Sequence, residues 1–215
     1  MEKVINYSDW QQTKSDIFWG EIAPCDHVVQ IYEDDAVFID VLAGFVGGGI
    51  NSGDCVILIA TDAHLKALEK RLKNFGIHID SLIYNDRYIP LNAEEVLAKF
   101  MVNGWPDENL FMEFVTKLIT KARKQNRRVR AFGEMVALLW AQGHSGATVQ
   151  LEHLWNKFCE NEIFCLFCAY PKIGFTDDMN VSIRDICCAH SKMIQASHKP
   201  MTELLYKTME QKKAG

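Results

Sequence analysis

Three short segments of this chain are mostly apolar and do not alternate: HVVQIY at 27–32, CVILIA at 55–60 and FCLFCAY at 164–170. Each is rich in β-branched or aromatic residues. A strand with one solvated face alternates apolar and polar side chains, whereas a strand covered on both faces need not. A fourth segment, RVRAFGEM at 128–135, has a mixed pattern and reads as a strand with a glycine kink. Helical patterns lie between them. Val37, Phe38, Val41, Leu42 and Phe45 recur at helical spacing over 35–47. Leu65, Leu68 and Leu72 follow Asp62 as N-cap and stop at Gly76. Leu110, Phe111, Phe114 and Leu118 follow Asp107, and Leu151, Leu154, Trp155 and Phe158 mark a helix over 146–161. Strands alternating with helices predict an α/β three-layer sandwich with a mostly parallel central sheet. SLIYNDRYIPL at 81–91 predicts a short strand or hairpin turning at Asn85 and Asp86, and KPMTELLYKTMEQKKAG at 199–215 predicts an amphipathic helix.

The segment GFVGGGINSGD at 44–54 has the glycine content of a phosphate-binding loop without its chemistry. Such a loop ends in Gly-Lys-Ser or Gly-Lys-Thr, its lysine meeting the phosphates and its hydroxyl the magnesium. No Gly-Lys pair occurs anywhere in the 215 residues. These glycines also read as a turn from helix to strand, the reverse of a P-loop. The expected role shifts from nucleotide hydrolysis toward sensing.

A net charge of -5 argues against a broad nucleic-acid surface. The basic run KARKQNRRVR at 121–130 reads as a solvated helix end leading into a strand. The N-terminal residues lack the apolar core of a secretory signal, and no stretch is long and apolar enough to span a bilayer. Seven cysteines, several inside apolar runs, fit reduced thiols and a cytoplasmic location better than a disulfide framework.

In open α/β sheets ligands bind beyond the carboxyl ends of the strands. That rule selects Tyr32, Glu33 and Asp34, then Thr61 and Asp62, then Glu134 and Met135, then Tyr170 and Pro171. Glu134 has two readings. It either faces a polar pocket or sits as a carboxylate at a helix N-terminus, where the dipole favours it. Tyr32, Glu33, Glu134 and Tyr170 are the expected rim of a small-molecule pocket, with His27 and His190 as further candidates. Cys165 and Cys168 have C-x-x-C spacing, with Cys187, Cys188 and His190 downstream. An offset of three places two strand residues on opposite faces, so the pair is not expected to share an ion. No metal site, cofactor or catalytic residue is expected.

The order of these blocks resembles the MEDS family, sensory domains named for methanogens, methylotrophs and a dichloromethane-responsive repressor. The matching segments are HVVQIYED at 27–34, FVGGGINSGDCVILIAT at 45–61, HLKALEKRLKNFGIHID at 64–80, RVRAFGEM at 128–135, LEHLWNKF at 151–158, FCLFCAYP at 164–171 and HSKMI at 190–194. The middle block is also similar to the segment after the P-loop of KaiC and RecA-like ATPases. The resemblance implies a RecA/KaiC-like fold that has lost its phosphate loop. It further implies a domain that senses small organic compounds, often hydrocarbon derivatives, coupled to a histidine kinase or a DNA-binding domain. No kinase or helix-turn-helix pattern follows residue 195. The expected output is therefore a partner such as a kinase or transcription regulator, or the rest of a longer chain; a homodimer is a further candidate assembly. The expected organisation is a peripheral segment at 1–20, a sensory domain at 21–195 and a C-terminal helix or linker at 196–215. The leading function is a non-catalytic sensory domain. The alternatives are a KaiC-like nucleotide binder without hydrolysis and a cysteine-dependent enzyme.

Overall fold

The apolar runs form the middle of one seven-stranded sheet in a computed structural model, which describes residues 19, 23, 25–174, 190–195 and 205–208. Its strands are β1 (His27–Tyr32), β2 (Cys55–Ala60), β3 (Tyr88–Asn92), β6 (Val129–Gly133), β7 (Cys165–Pro171), β8 (Lys192–Gln195) and β9 (Leu205–Thr208). A separate two-stranded hairpin joins β4 (Met101–Val102) to β5 (Trp105–Pro106). The order across the sheet is β3-β2-β6-β7-β1-β8-β9. All neighbours in it run parallel except β8 and β9. The four central strands are buried along almost their whole length, which is why their sequences do not alternate.

Helices cover both faces. On one, α1 (Asp35–Asn51) and α2 (Asp62–Asn74) bring Phe38, Leu42, Phe45, Leu68 and Leu72 onto Val28, Val56, Leu58, Phe132 and Phe167. Trp19 completes this layer, its ring against Phe45 and Phe167. The short α3 (Ile79–Tyr84) follows α2. On the other face lie α4 (Ala93–Leu97), α5 (Glu108–Ala122), α6 (Met135–Ala141) and α7 (Ser145–Asn161). They pack Val96, Phe111, Val115, Met135, Leu151 and Trp155 onto Val29, Ile57, Leu166 and Cys168.

The expected α/β sandwich is present, with differences in detail. Helix α1 does not stop before its glycines but runs through Gly47, Gly48 and Gly49 to Asn51. Those glycines are packing devices. A Cβ on Gly49 would lie 2.8 Å from Val56 Cγ2 and 3.0 Å from Arg130 Cδ. The turn itself falls on Gly53, whose φ is +79°. The expected strand or hairpin at 81–91 is helical up to Tyr84 and becomes strand only from Tyr88, with Asp86 at φ 51° making the turn. In the C-terminal segment expected to be helical, Leu205–Thr208 instead pairs with β8, where an open strand edge offers ladder hydrogen bonds. The remainder of 196–215 and residues 1–18 lie outside the described residues.

The basic run at 121–130 is consumed internally. Lys121 and Lys124 pair with Asp86, Arg123 with Glu162, and Arg127 donates to the carbonyls of Asn85 and Asp86. Arg128 and the buried Arg130 both hold Asp54, at 3.0 and 2.8 Å. Among the described residues no helix is long and apolar enough to cross a membrane.

Candidate functional site

Beyond the carboxyl ends of the strands, the chain leaves the sheet in opposite directions. From β1 it passes to α1 on one face, and from β6 to α6 on the other. A reversal of this kind opens the edge of a parallel sheet to ligands. Glu134, the residue after β6, holds this edge together. Its backbone N–H donates to the Ile59 carbonyl at 2.9 Å, and its side chain reaches the end of the neighbouring strand. There Oε2 accepts from the Thr61 N–H at 2.8 Å, and Oε1 lies 2.6 Å from His64 Nδ1. Glu134 occupies the N-cap position of α6 but makes no side-chain cap bond there. Its carboxylate thus stands at a helix N-terminus, where the dipole favours it, while its hydrogen bonds go to Thr61 and His64.

The imidazole of His64 stands edge-on to Phe38, with centroids 5.0 Å apart, and Tyr32 stacks on Phe38 at 4.4 Å. The result is a carboxylate–imidazole pair beside an aromatic wall. Burial by itself lowers the His64 pKa, but the hydrogen bond and charge of Glu134, helped by the charge of Asp35, outweigh it and leave the group raised. Burial, then the Glu134 and Asp35 charges, push the Tyr32 phenol well above its ordinary range, so it stays protonated. Glu33 is exposed and pairs with Lys172. Asp34 accepts from the N–H groups of Ala36 and Val37, capping α1.

Tyr170 does not join this edge group. Its side chain points to the opposite face, is fully buried, and donates to Glu152 Oε1 on α7. Two other sequence-selected residues, His27 and His190, meet it there. His27 Nε2 lies 3.7 Å from Glu152 Oε2 and 3.5 Å from Cys168 Sγ; His190 Nε2 lies 3.6 Å from Glu152 Oε2. The two imidazole centroids are 4.0 Å apart. Burial raises the Glu152 carboxyl to about 8, only partly countered by the Tyr170 hydrogen bond. Burial, then the charge of Glu152, push the Cys168 thiol well above its ordinary value. The six residues expected at one site thus separate: Tyr32 and Glu134 lie at the carboxyl edge with His64 and Phe38, Glu33 is exposed against Lys172, and Tyr170, His27 and His190 lie around Glu152.

Sequence reasoning missed His64, Phe38 and Glu152. The signal for His64 was its place three residues after Thr61, the N-cap of α2. As the spacing implied, Cys165 and Cys168 lie on opposite faces. Cys168 meets donors from distant parts of the chain. Cys187 and Cys188 lie outside the described residues.

Solved structures similar to this one include the KaiC-like protein PH0186 of Pyrococcus horikoshii, with a TM-score of 0.58 at 10% identity over 89% of this chain and 83% of that one. A second, PH0250 of the same archaeon, gives a TM-score of 0.56 at 13% identity over 86% and 88%. At such identities the likeness concerns the fold, which is KaiC-like. No curated protein matches the sequence. The family model described as MEDS, the MEthanogen/methylotroph, DcmR Sensory domain, matches residues 26–191. This span takes in β1 through β7 and both residue groups, and the chain belongs to the MEDS family of sensory domains.

Proposed function

We propose that this domain is a non-catalytic sensor that binds a small organic molecule at the carboxyl edge of its sheet and reports occupancy to a partner protein of the kinase or transcription-regulator kind. The observation that carries the reading is the Glu134–His64 pair set beside Tyr32 and Phe38. A carboxylate and an imidazole supply a polar anchor, and two stacked rings supply an apolar wall; together they suit a short hydrocarbon bearing one polar group. Three strand ends contribute, so a ligand there bridges elements on both faces of the sheet. The family's sensory character and the absence of a Gly-Lys-Ser/Thr sequence support a binding role over phosphoryl transfer.

The test is a thermal-shift screen of short-chain alcohols, amines and halogenated hydrocarbons, repeated on Glu134→Gln and Tyr32→Phe. A polar hit should lose about 1.5–3 kcal/mol of binding energy in Glu134→Gln, the scale of a charge-assisted hydrogen bond. Hits that bind both variants as well as wild type would move the site elsewhere. Stabilisation by adenine nucleotides and by no organic compound would favour the KaiC-like nucleotide-binding alternative.

A further inference from the structure

On the face of the sheet opposite the Glu134 edge, four side chains with metal-binding atoms converge: His27 at the start of β1, Cys168 within β7, Glu152 on α7 and His190 just before β8. Their donor atoms all lie within 4.8 Å of one another, and all four residues are buried. We propose that they bind one divalent transition-metal ion of the zinc type, held by two imidazoles, one thiolate and one carboxylate.

The spacing is the first argument. A tetrahedral ion with metal–nitrogen bonds of about 2.0–2.1 Å and a metal–sulfur bond of about 2.3 Å places its ligand atoms roughly 3.3–3.6 Å apart. The observed separations are 3.5 Å from His27 Nε2 to Cys168 Sγ, 3.7 Å from His27 Nε2 to Glu152 Oε2 and 3.6 Å from His190 Nε2 to Glu152 Oε2. These three separations match tetrahedral edges with slight expansion, and the remaining ones stay within 4.8 Å.

The surroundings are the second. His27 Nδ1 lies 2.9 Å from Asn156 Oδ1. With that oxygen accepting, Nδ1 carries the proton, and the Nε2 lone pair faces the cluster, as in the outer shell of metal-bound histidines. Tyr170 donates to Glu152 Oε1, and Glu152 Oε2 accepts no hydrogen bond among the described residues. A buried carboxylate oxygen left so is costly unless something cationic meets it.

Charge is the third. One carboxylate and one thiolate neutralise a dication, so the loaded site adds no net charge to the interior. Thiolate with imidazole selects zinc-type ions over magnesium or calcium. Four protein donors in a buried setting describe a closed site, which ties strands to α7 rather than activating water.

The protein is stripped with a chelator and titrated with zinc against a chromophoric chelator, then with cobalt(II) as a spectroscopic probe. The expected result is one equivalent bound, with intense visible bands of tetrahedral cobalt and a near-ultraviolet thiolate-to-cobalt band. Cys168→Ser should abolish the thiolate band. Asn156→Ala, which touches only the outer shell, should weaken zinc binding by about 10–100-fold. Circular dichroism identifies any variant that fails to fold, and His190→Gln then serves in place of Cys168→Ser, with weakened zinc binding expected. Absence of a stoichiometric ion, a thiolate band that survives in Cys168→Ser, or zinc binding as tight in His190→Gln as in wild type would overturn the assignment.

Discussion

His64 and Glu134 are joined by a 2.6 Å contact between Nδ1 and Oε1 that ties the first turn of α2 to the end of β6. The same carboxylate also receives the Thr61 N–H. Glu134→Ala therefore removes two bonds and leaves a part-buried backbone donor without its acceptor. The expected loss of stability is about 1–3 kcal/mol, measured by urea unfolding. Glu134→Gln keeps an acceptor for Thr61 and should lose less. Equal stability of Glu134→Ala and wild type would show that the pair holds nothing together.

The pH dependence follows from the raised pKa of His64. A histidine raised above its ordinary value, near 6.5, contributes stability that is complete below that value and disappears as pH rises through the folded one. His64→Gln removes this contribution. The gap in unfolding free energy between wild type and His64→Gln should thus be widest near about pH 5.5 and narrow by about pH 8.5. A gap that grows with pH would mean that His64 is held neutral.

Gly49 and Gly53 should respond differently to alanine. In an open helix, Gly→Ala gains roughly 1 kcal/mol. At Gly49 the added methyl meets Val56, a stiff side chain inside a buried strand, and Arg130, held by Asp54. Overpacking costs about 1–3 kcal/mol, so the net effect of Gly49→Ala is expected to be destabilising. Nothing lies within 4 Å of a Cβ on Gly53, and Gly53→Ala meets only the strain of its positive φ, about 1–2 kcal/mol. Thermal melts of both variants test this; a stabilised Gly49→Ala would contradict the close approach.

Magnesium-ATP should give no turnover above background in a steady-state phosphate-release assay, because the chain lacks the lysine and hydroxyl that hold the triphosphate and its metal. Turnover that vanishes in Glu134→Gln would make this edge a catalytic one.

How much was legible in the sequence depended on how local the deciding interaction was. HVVQIY and CVILIA announce themselves because two covered faces favour mostly apolar sequence without alternation. Asp107 marks the start of α5 because a cap is set within a few residues, and its side chain does accept from Leu110 N. The extension of α1 through three glycines was hidden, since what favours glycine there is Val56 and Arg130 across the layer. The same holds for the sites. Strand ends pointed to Tyr32 and Glu134 without revealing His64, whose partner is distant in sequence. The histidines, thiol and carboxylate around Glu152 come from residues 27, 152, 168 and 190, and only the sheet order brings them together. The C-x-x-C spacing drew attention to Cys165, which faces the other way.

The two-residue link between β1 and α1 has a consequence for selectivity. Asp34 already satisfies the amides of Ala36 and Val37 with its own carboxylate. The helix thus carries a tethered counter-ion, and a dissolved phosphate would compete with a group that never diffuses away. At the start of α1 these two main-chain donors are already engaged. Discrimination among ligands then falls to side chains, so point substitutions can retune what the domain recognises while the strand–helix junction beneath stays as it is.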